Sequence, residues 1–426
     1  MSYLYNITIH LYLLLIRVSG LFNDKARLWL KGRNNIIKRI SEQINSKEDI
    51  VWFHAASLGE FEQGRPVIEA FRQKFPDYKI LLTFFSPSGY EVRKDYKNAD
   101  YIFYLPIDTK SNARKFVQTV NPKLVIFIKY EFWFNYLNEL HKNNIPTFII
   151  SAIFRKEQHF FKWYGGWFRK KLKCINRFFV QNRESLELLN SIGINNVGVS
   201  GDTRFDRVFA IAQQAKKFPL IEKFINDKKV FLGGSTWQPD EELIEHLTNK
   251  FKDNLKFIIA PHEIDKERIK SVLTTFNKHK VLKYSEANED NVQNADVLII
   301  DGIGFLSGLY QYCDIAYIGG GFGKGIHNIL EAVTFGKPVI FGPNYQKFAE
   351  AKDLVGLKGA FNISNERELL EITDSLIRNQ TILRSSSLIC KKYIENKRGA
   401  TKVVLNFIQK FLTLEKKSNL FKNEKV

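Results

Sequence analysis

Short apolar runs recur along the chain with helical patterns between them, and this alternation limits the possible folds more than any other feature. Most runs are continuously apolar, which is typical of parallel strands buried on both faces. Strands that alternate with helices in this way predict doubly wound α/β domains. The predicted strands are 50–54, 80–85, 101–105, 124–128, 147–151, 178–181 and 197–200, then 230–233, 257–260, 281–284, 297–301, 315–319 and 338–341.

The strand pattern lapses between residues 207 and 229, where the chain is polar and carries Pro219. A chain of 426 residues is also too long for one ordinary core. We therefore predict two Rossmann-like domains, 36–215 and 216–412, preceded by segment 1–35 and followed by a charged tail, 413–426. Two such domains facing each other form a cleft, and ligands bind outside the carboxyl ends of the strands.

The N-terminal residues 3–22 are largely apolar, although His10 and Arg17 interrupt them, and a basic stretch follows. Positive charge on that side predicts that the rest of the protein is cytoplasmic. We expect an uncleaved membrane anchor, either spanning or interfacial. The alternative is an amphipathic helix that packs on the protein itself.

The formal net charge of +19 indicates an anionic partner such as an acidic membrane surface or a phosphorylated substrate, unless it only reflects codon usage that favours Lys and Asn. No nucleic-acid partner is expected, because the lysines are scattered and no nucleic-acid-binding signature accompanies them. Cys174, Cys313 and Cys390 are far apart, which argues against a disulfide framework and against structural zinc.

The first candidate site is the segment His54-Ala-Ala-Ser-Leu-Gly-Glu60, which follows a predicted buried strand. Gly59 permits a tight turn, and a helix is predicted from about residue 61. Glu60 would then lie at the mouth of the cleft, where a carboxylate can act as a general base. The alternative is a carboxylate that only stabilises the helix dipole.

The second candidate site is the glycine-rich segment 319–331, which lies between a predicted strand and a helix. Glycine lets the backbone approach a phosphate closely, so Gly320 and Gly321, with Ser235 in a neighbouring loop, form a candidate phosphate loop. Glu331, about one turn into the helix, is placed to accept hydrogen bonds from ribose hydroxyls. This combination in the second domain predicts the donor half of a GT-B glycosyltransferase.

These segments resemble the Kdo (3-deoxy-D-manno-octulosonic acid) transferases of glycosyltransferase family 30, in family order and over nearly the whole chain. HAASLGE at 54–60 is similar to the family's HxxSxGE signature, which implies that Glu60 is the catalytic base. YEFWFN at 130–135 resembles ETELWPN, and GDTRFD at 201–206 resembles GNxKFD. The resemblance implies that Glu131 and Arg204 stabilise the transition state, while Lys129 stands where the family has a glutamate.

The donor half of the chain resembles the family in the same way. GGST at 233–236 is similar to its GST loop, and HNILEA at 327–332 resembles HNPLEP. Two positions depart from the pattern, since His262 replaces an arginine and Phe305 replaces a glutamate, which leaves only a backbone contact at Phe305. The CMP-binding residues that the resemblance implies are Pro261, His262, Ile303, Gly304, Phe305, Asn328, Ile329, Leu330 and Glu331.

The implied activity is transfer of Kdo from CMP-Kdo to a lipid A precursor, lipid IVA, with inversion at the anomeric carbon. No cofactor and no metal are expected, because the leaving group has one phosphate and no DxD pair stands at a strand end. The implied location is the cytoplasmic face of the inner membrane, with anionic lipid as a partner. Two alternatives stay open: another GT-B enzyme that uses a UDP-sugar, and a non-catalytic membrane-bound sugar-nucleotide binder.

Overall fold

The computed structural model describes residues 1–45 and 47–423. It contains two compact units, one formed by Met1–Arg207 with Arg398–Val426 and the other by Val208–Lys397. We call them the N-unit and the C-unit. Each is built on a seven-stranded sheet in which every strand pairing is parallel, with helices between the strands. The predicted pair of parallel-sheet α/β domains is therefore confirmed.

The sheet of the N-unit has the strand order β3-β2-β1-β4-β5-β6-β7, so the chain reverses direction across the sheet between β1 and β4. This reversal places the loops after β1 and β4 side by side at the carboxyl edge, where ligands bind in such sheets. The strands are β1 (Ile50–Ala55), β2 (Lys79–Phe84), β3 (Tyr101–Tyr104), β4 (Leu124–Ile128), β5 (Thr147–Ala152), β6 (Arg177–Val180) and β7 (Val197–Val199).

Successive side chains of a strand point to opposite faces, and both faces of this sheet are covered. Trp52 of β1 belongs to one apolar cluster and Phe53 to another, and both side chains are fully buried. The helices of this part of the chain are α1 (Ser2–Ser19), α2 (Asp24–Gly32), α3 (Ile36–Gln43), α4 (Leu58–Lys74), α5 (Pro87–Arg93), α6 (Lys110–Val120), α7 (Phe134–Lys142), α8 (Gly166–Leu172), α9 (Arg183–Ser191) and α10 (Thr203–Gln213).

The sheet of the C-unit has the order β10-β11-β9-β8-β12-β13-β14. The strands are β8 (Lys229–Thr236), β9 (Leu255–Pro261), β10 (Val281–Lys283), β11 (Val297–Ile299), β12 (Ile315–Ile318), β13 (Val339–Phe341) and β14 (Ala360–Asn362). The helices are α11 (Pro219–Ile225), α12 (Gln238–Phe251), α13 (Lys266–Thr275), α14 (Leu306–Leu309), α15 (Leu330–Val333), α16 (Ala349–Leu357), α17 (Glu366–Arg378) and α18 (Gln380–Lys397). The sequence did not predict β14, a strand of three residues at the sheet edge.

The last helix, α19 (Ala400–Asn423), belongs to the N-unit, whereas the sequence placed residues up to 412 in the second domain. The physical reason is an aromatic contact: the ring of Phe148 on β5 lies 5.5 Å from Phe407 and 5.2 Å from Phe411. The carboxylate of Asp206 also accepts the backbone N–H groups of Gly399 (2.6 Å) and Thr401 (2.7 Å) at the start of the helix. Of the predicted charged tail 413–426, residues 424–426 lie outside the described residues.

The boundary between the two domains also differs, since the compact units divide at 207/208 rather than at 215/216.

In the predicted anchor segment, α1 packs on the rest of the N-unit through Tyr5 and Ile9, while the side chains of Leu4, Leu11 and Leu15 are 60%, 54% and 66% exposed. Among the described helices, none combines the length and the apolar character that a membrane crossing requires.

Candidate active site

Glu60 lies in the first turn of α4, directly after the carboxyl end of β1. Its Oε2 atom accepts the backbone N–H groups of Ala56 (2.8 Å) and Ser57 (3.2 Å), and with Ser57 it completes a capping box. The helix-start role considered from the sequence is therefore present in the structure. Its Oε1 atom has no hydrogen-bond partner among the described residues, so the same carboxylate retains one oxygen for a ligand.

The pKa of Glu60 is raised to about 7 by burial and by the nearby carboxylate of Glu131. The ammonium of Lys129 and the backbone N–H groups of Ala56 and Ser57 act in the opposite direction. A carboxylate with a pKa near the working pH can hold a proton in one step and release it in the next. These surroundings give Glu60 the property that a general base requires.

Glu131, after β4, is held by a buried network of hydrogen bonds. Its Oε2 atom lies 3.1 Å from Nε2 of His54 and accepts the indole N–H of Trp133 at 2.5 Å. On the other side of the imidazole, Nδ1 lies 2.8 Å from the hydroxyl of Thr83, which accepts the indole N–H of Trp52 at 2.7 Å. Nδ1 also lies 3.1 Å from the carbonyl oxygen of Thr83, and the indole N–H of Trp133 lies 3.0 Å from Nε2. Both ring nitrogens therefore have polar neighbours that fix the orientation of the imidazole beside Glu131.

Two cationic side chains belong to the same region. Lys129 has a left-handed backbone (φ 70°), and its pKa is lowered by burial, with Glu60 acting against the shift and Arg204 adding to it. Arg204 forms an ion pair with Asp202, in which Nη2 lies 2.7 Å and Nε 2.8 Å from one carboxylate oxygen. The N-unit thus brings together Glu60, Glu131 and Arg204, the three predicted catalytic residues, and adds Lys129 to them.

In the C-unit, the glycine-rich segment after β12 is packed too closely for side chains. A Cβ atom at Gly319 would lie 2.2 Å from the carbonyl oxygen of Ser235, and one at Gly321 would lie 2.5 Å from the nitrogen of Gly342. Gly320 has a φ of 89°, which favours glycine. The sequence therefore folds here into a turn that only glycine permits.

Asp240 at the start of α12 fixes this turn. Its buried carboxylate accepts the backbone N–H groups of Gly320 and Trp237, each at 2.9 Å, and the hydroxyl of Tyr317 at 2.8 Å. The N–H of Gly320 is therefore already used. The N–H of Gly321 makes no hydrogen bond within the part of the chain that is described, so Gly321 remains the candidate phosphate ligand of the two.

Beside the turn lies a cavity of about 450 Å³ whose lining includes Trp237, Asp240, Lys324 and His327. Three rings stack at its edge: those of His262 and His327 are 4.2 Å apart, and that of Trp237 is 4.8 Å from His262. The indole N–H of Trp237 donates to Nε2 of His327 at 3.1 Å. Burial and His262 together lower the pKa of His327 to about 4, so this ring stays neutral near pH 7.

The predicted CMP-binding residues 328–331 divide into two groups. The side chains of Ile329 and Leu330 are buried in the core, so only their backbone atoms are left for a ligand. Asn328 and Glu331 lie at the surface of the same short helix start, where Nδ2 of Asn328 donates to Oε1 of Glu331 at 3.1 Å. This contact orients the carboxylate that the sequence assigns to ribose.

The loop before α14 holds three further predicted residues. Ile303 is 87% exposed, and Gly304 has a φ of 87°. The ring of Phe305 packs on Tyr284 at 5.1 Å and on Phe218 at 5.9 Å. The side chain of Phe305 therefore lies in an apolar cluster, and the backbone contact expected from this loop stays a prediction. Pro261 ends β9 at the same sheet edge.

Sequence reasoning missed Trp237 and Asp240 as functional residues, and it named His54 in the first candidate site without giving it a role. Their common signal is position, since Trp237 and Asp240 follow β8 and His54 lies near the end of β1. Their partners lie far away in the chain, so sequence patterns could not supply the contacts.

The described residues contain no group of three His, Cys, Asp or Glu side chains that could hold a metal ion.

Part of the chain matches a family model, and relatives of the same description align with most of its length. Residues 31–207 match the family model described as 3-deoxy-D-manno-octulosonic-acid transferase (kdotransferase). The 3-deoxy-D-manno-octulosonic acid transferase of Rickettsia prowazekii is 28% identical over 412 residues, which cover 93% of this chain and 86% of that protein. The Haemophilus influenzae protein of the same name is 25% identical over 373 residues, covering 85% and 87%.

Several solved structures have a fold similar to that of this chain. The UDP-GlcNAc 2-epimerase of Neisseria meningitidis aligns with a TM-score of 0.60 and 17% identity, covering 85% of this chain and all of that one. Acinetobacter baumannii MurG aligns with a TM-score of 0.53 and 13% identity, covering 85% and 99%. At such identities the likeness concerns the fold, which is GT-B-like.

Proposed function

The chain belongs to the Kdo transferase family of glycosyltransferases, and we propose that it transfers Kdo from CMP-Kdo to the lipid A precursor lipid IVA. The observation that carries this proposal is the surroundings of Glu60. One oxygen caps α4, the other is open to a ligand, and the pKa is about 7. A carboxylate that served only as a cap would gain nothing from a pKa so far above its usual range.

In the proposed reaction, Oε1 of Glu60 removes the proton from a sugar hydroxyl of the acceptor. The hydroxyl oxygen forms a bond to the anomeric carbon of Kdo while the bond from that carbon to the CMP phosphate oxygen breaks, so the anomeric configuration inverts. CMP leaves with the electron pair of the broken bond. Glu131 and Arg204 stabilise the charge that develops, and the network behind His54 keeps the carboxylate of Glu131 in place.

The C-unit holds the nucleotide in this proposal. The N–H of Gly321 binds the CMP phosphate, and Glu331, oriented by Asn328, accepts the ribose hydroxyls. The Pro261–His262 pair and the backbone of 303–305 contact the rest of CMP. We propose a metal-independent reaction, because the leaving group has one phosphate and no metal is needed to bridge two.

The exposed apolar face of α1 supports attachment to a bilayer, which we place at the cytoplasmic face of the inner membrane. The net charge of +19 favours a surface of anionic lipid.

A transfer assay with the full chain tests the proposal. CMP-Kdo, generated in place, is supplied with tetraacyl lipid A precursor in the presence of EDTA, and matched reactions contain UDP-sugars instead. We expect a Kdo-containing product from CMP-Kdo alone. A product only with a UDP-sugar would replace the donor assignment, and CMP binding without any product would favour the non-catalytic binder.

A further inference from the structure

A cavity of about 970 Å³ in the N-unit is lined by none of the residues assigned to catalysis. Its walls are α1, α6, α7 and α8. Phe134 and Asn135 at the start of α7 line it, and Glu131 lies only three residues earlier in the chain. The cavity is therefore lined by the residues that directly follow the loop carrying Glu131. We call it the basic cavity, for its charge.

Five cationic side chains line the basic cavity, against one carboxylate, that of Glu139. These cations are Lys110, Arg114, Lys115, Lys142 and Lys171. Lys142 pairs with Glu139 at 2.8 Å, and Lys171 donates to the side-chain oxygen of Asn138 at 2.6 Å. The other three make no ion pair with a described carboxylate.

The concentration of like charge also affects Lys171. Its pKa is lowered by burial; Cys174 and Asp108 act against this lowering, and Lys110 and Lys142 add to it. Because the cations of the cavity outnumber its carboxylates, an anion that enters would relieve their mutual repulsion. A phosphate diester would bring one negative charge, whereas a phosphate monoester brings nearly two near neutral pH and three acceptor oxygens.

Helix α1 connects this charge to an apolar surface. Ser2, Tyr5 and Asn6 face the basic cavity, and Ile9 is buried beside them. At about 100° per residue, the exposed aliphatic side chains occupy a stripe about 100° wide on the opposite face. These side chains are Leu4, Ile7, Leu11, Leu14, Leu15 and Val18. A ligand with a phosphate and acyl chains would match both surfaces.

We propose that the basic cavity binds a phosphate monoester of the acceptor glycolipid, while the acyl chains of that lipid follow the exposed stripe of α1. The proposal rests on the proposed function, since it assigns a subsite for the acceptor of that reaction. It makes Lys110, Arg114, Lys115 and Lys142 specificity residues that select a phosphorylated acceptor. They act at a distance from the reacting hydroxyl and leave CMP-Kdo binding unaffected.

The test uses sedimentation of the full chain with phosphatidylcholine vesicles of three kinds. The first carry the bisphosphorylated tetraacyl precursor, the second carry the same lipid with its phosphates removed, and the third carry phosphatidylglycerol. Arg114→Gln combined with Lys142→Gln removes two exposed cations from the cavity. Lys123→Gln combined with Arg183→Gln removes the same charge elsewhere in the N-unit and serves as the matched control. A charge-preserving pair, Arg114→Lys with Lys142→Arg, controls for folding.

We expect wild type, the matched control and the charge-preserving pair to prefer the phosphorylated precursor over the dephosphorylated one by about tenfold or more, and the cavity variant to lose that preference. In the transfer assay the cavity variant should have a higher KM for the acceptor and an unchanged KM for CMP-Kdo.

If the cavity variant and the matched control lose the preference for the phosphorylated precursor equally, the proposal is overturned, because the total charge of the N-unit would explain the binding. If phosphatidylglycerol vesicles bind wild type as well as the phosphorylated precursor does, the cavity is a general surface for anionic lipid and the proposal is also overturned. Selective binding without any Kdo transfer would leave the cavity assignment standing and reject the proposed function.

Discussion

Nε2 of His54 lies 3.1 Å from a carboxylate oxygen of Glu131, and this buried pair joins the end of β1 to the loop after β4. The negative charge that His54 and Trp133 hold in place is one of the two causes that raise the pKa of Glu60. Burial is the larger cause, and the position of Glu131 adds to it.

Replacing Glu131 with Gln tests this link through the pH profile. Glu60 must be ionised to act as a base, so activity is high above its pKa of about 7 and is lost as pH falls through that value. Glu131→Gln removes a charge that raises this pKa, so the acid limb of kcat/KM should move to lower pH. The maximal kcat should also fall, because transition-state stabilisation is lost. An unmoved acid limb would show that Glu131 does not act on the base.

Lys129 should act in the opposite direction. Its ammonium lowers the pKa of Glu60, so Lys129→Met should move the acid limb of kcat/KM to higher pH. Lys129→Arg, which keeps the charge, is the matched control and should leave the limb in place. If Lys129→Met and Glu131→Gln shift the limb in the same direction, the electrostatic account of Glu60 is incorrect.

Tyr5→Phe tests how α1 is held on the N-unit. The hydroxyl of Tyr5 donates to Asp108 at 2.5 Å, and burial raises the pKa of that carboxyl to about 6 while this hydrogen bond lowers it. The bond favours the ionised form, so its contribution to stability is present above about pH 6 and is lost as pH falls through that value. We expect the free energy of unfolding in urea to drop by about 1.5–3 kcal/mol at pH 8 and by less at pH 5. Tyr3→Phe, at an exposed position, should change neither value.

Glu331→Ala tests the nucleotide assignment in the C-unit. Loss of a carboxylate that accepts ribose hydroxyls should raise the Kd for CMP about tenfold to a hundredfold, as measured by calorimetry. Glu263→Ala, an exposed carboxylate just after His262, serves as the control and should leave CMP affinity unchanged. An unchanged Kd in Glu331→Ala would remove this residue from the CMP site.

Much of the fold could be predicted because parallel strands buried on both faces leave a local pattern. The predicted strand 124–128 matches β4 at both ends, and 50–54 differs from β1 by one residue. The return of α19 to the N-unit could not be predicted, because the apolar face of a helix does not indicate which sheet it covers. It is the rings of Phe148, Phe407 and Phe411 that decide this.

In the candidate site, too, local sequence patterns predicted some residues, while contacts between distant residues could not be predicted. Glu60 and Gly321 could be placed from the sequence because each lies a few residues after the end of a strand, and strand ends lie at the ligand-binding edge. The buried network from Trp52 through Thr83 to His54 joins residues of two strands, and no local pattern reports a contact of that kind. The same is true of Asp240, which accepts the N–H of Gly320 from eighty residues away.

The most direct test of the central claim is the rate of Kdo transfer by Glu60→Gln. Glutamine retains an oxygen that can accept the N–H groups of Ala56 and Ser57, so the cap of α4 and the fold should persist, but it cannot take a proton. We predict that kcat falls about 10²- to 10⁴-fold while the melting temperature and the Kd for CMP stay near those of wild type. A variant that transfers Kdo at the wild-type rate would contradict the account, because Glu60 would then be a helix cap and not the base.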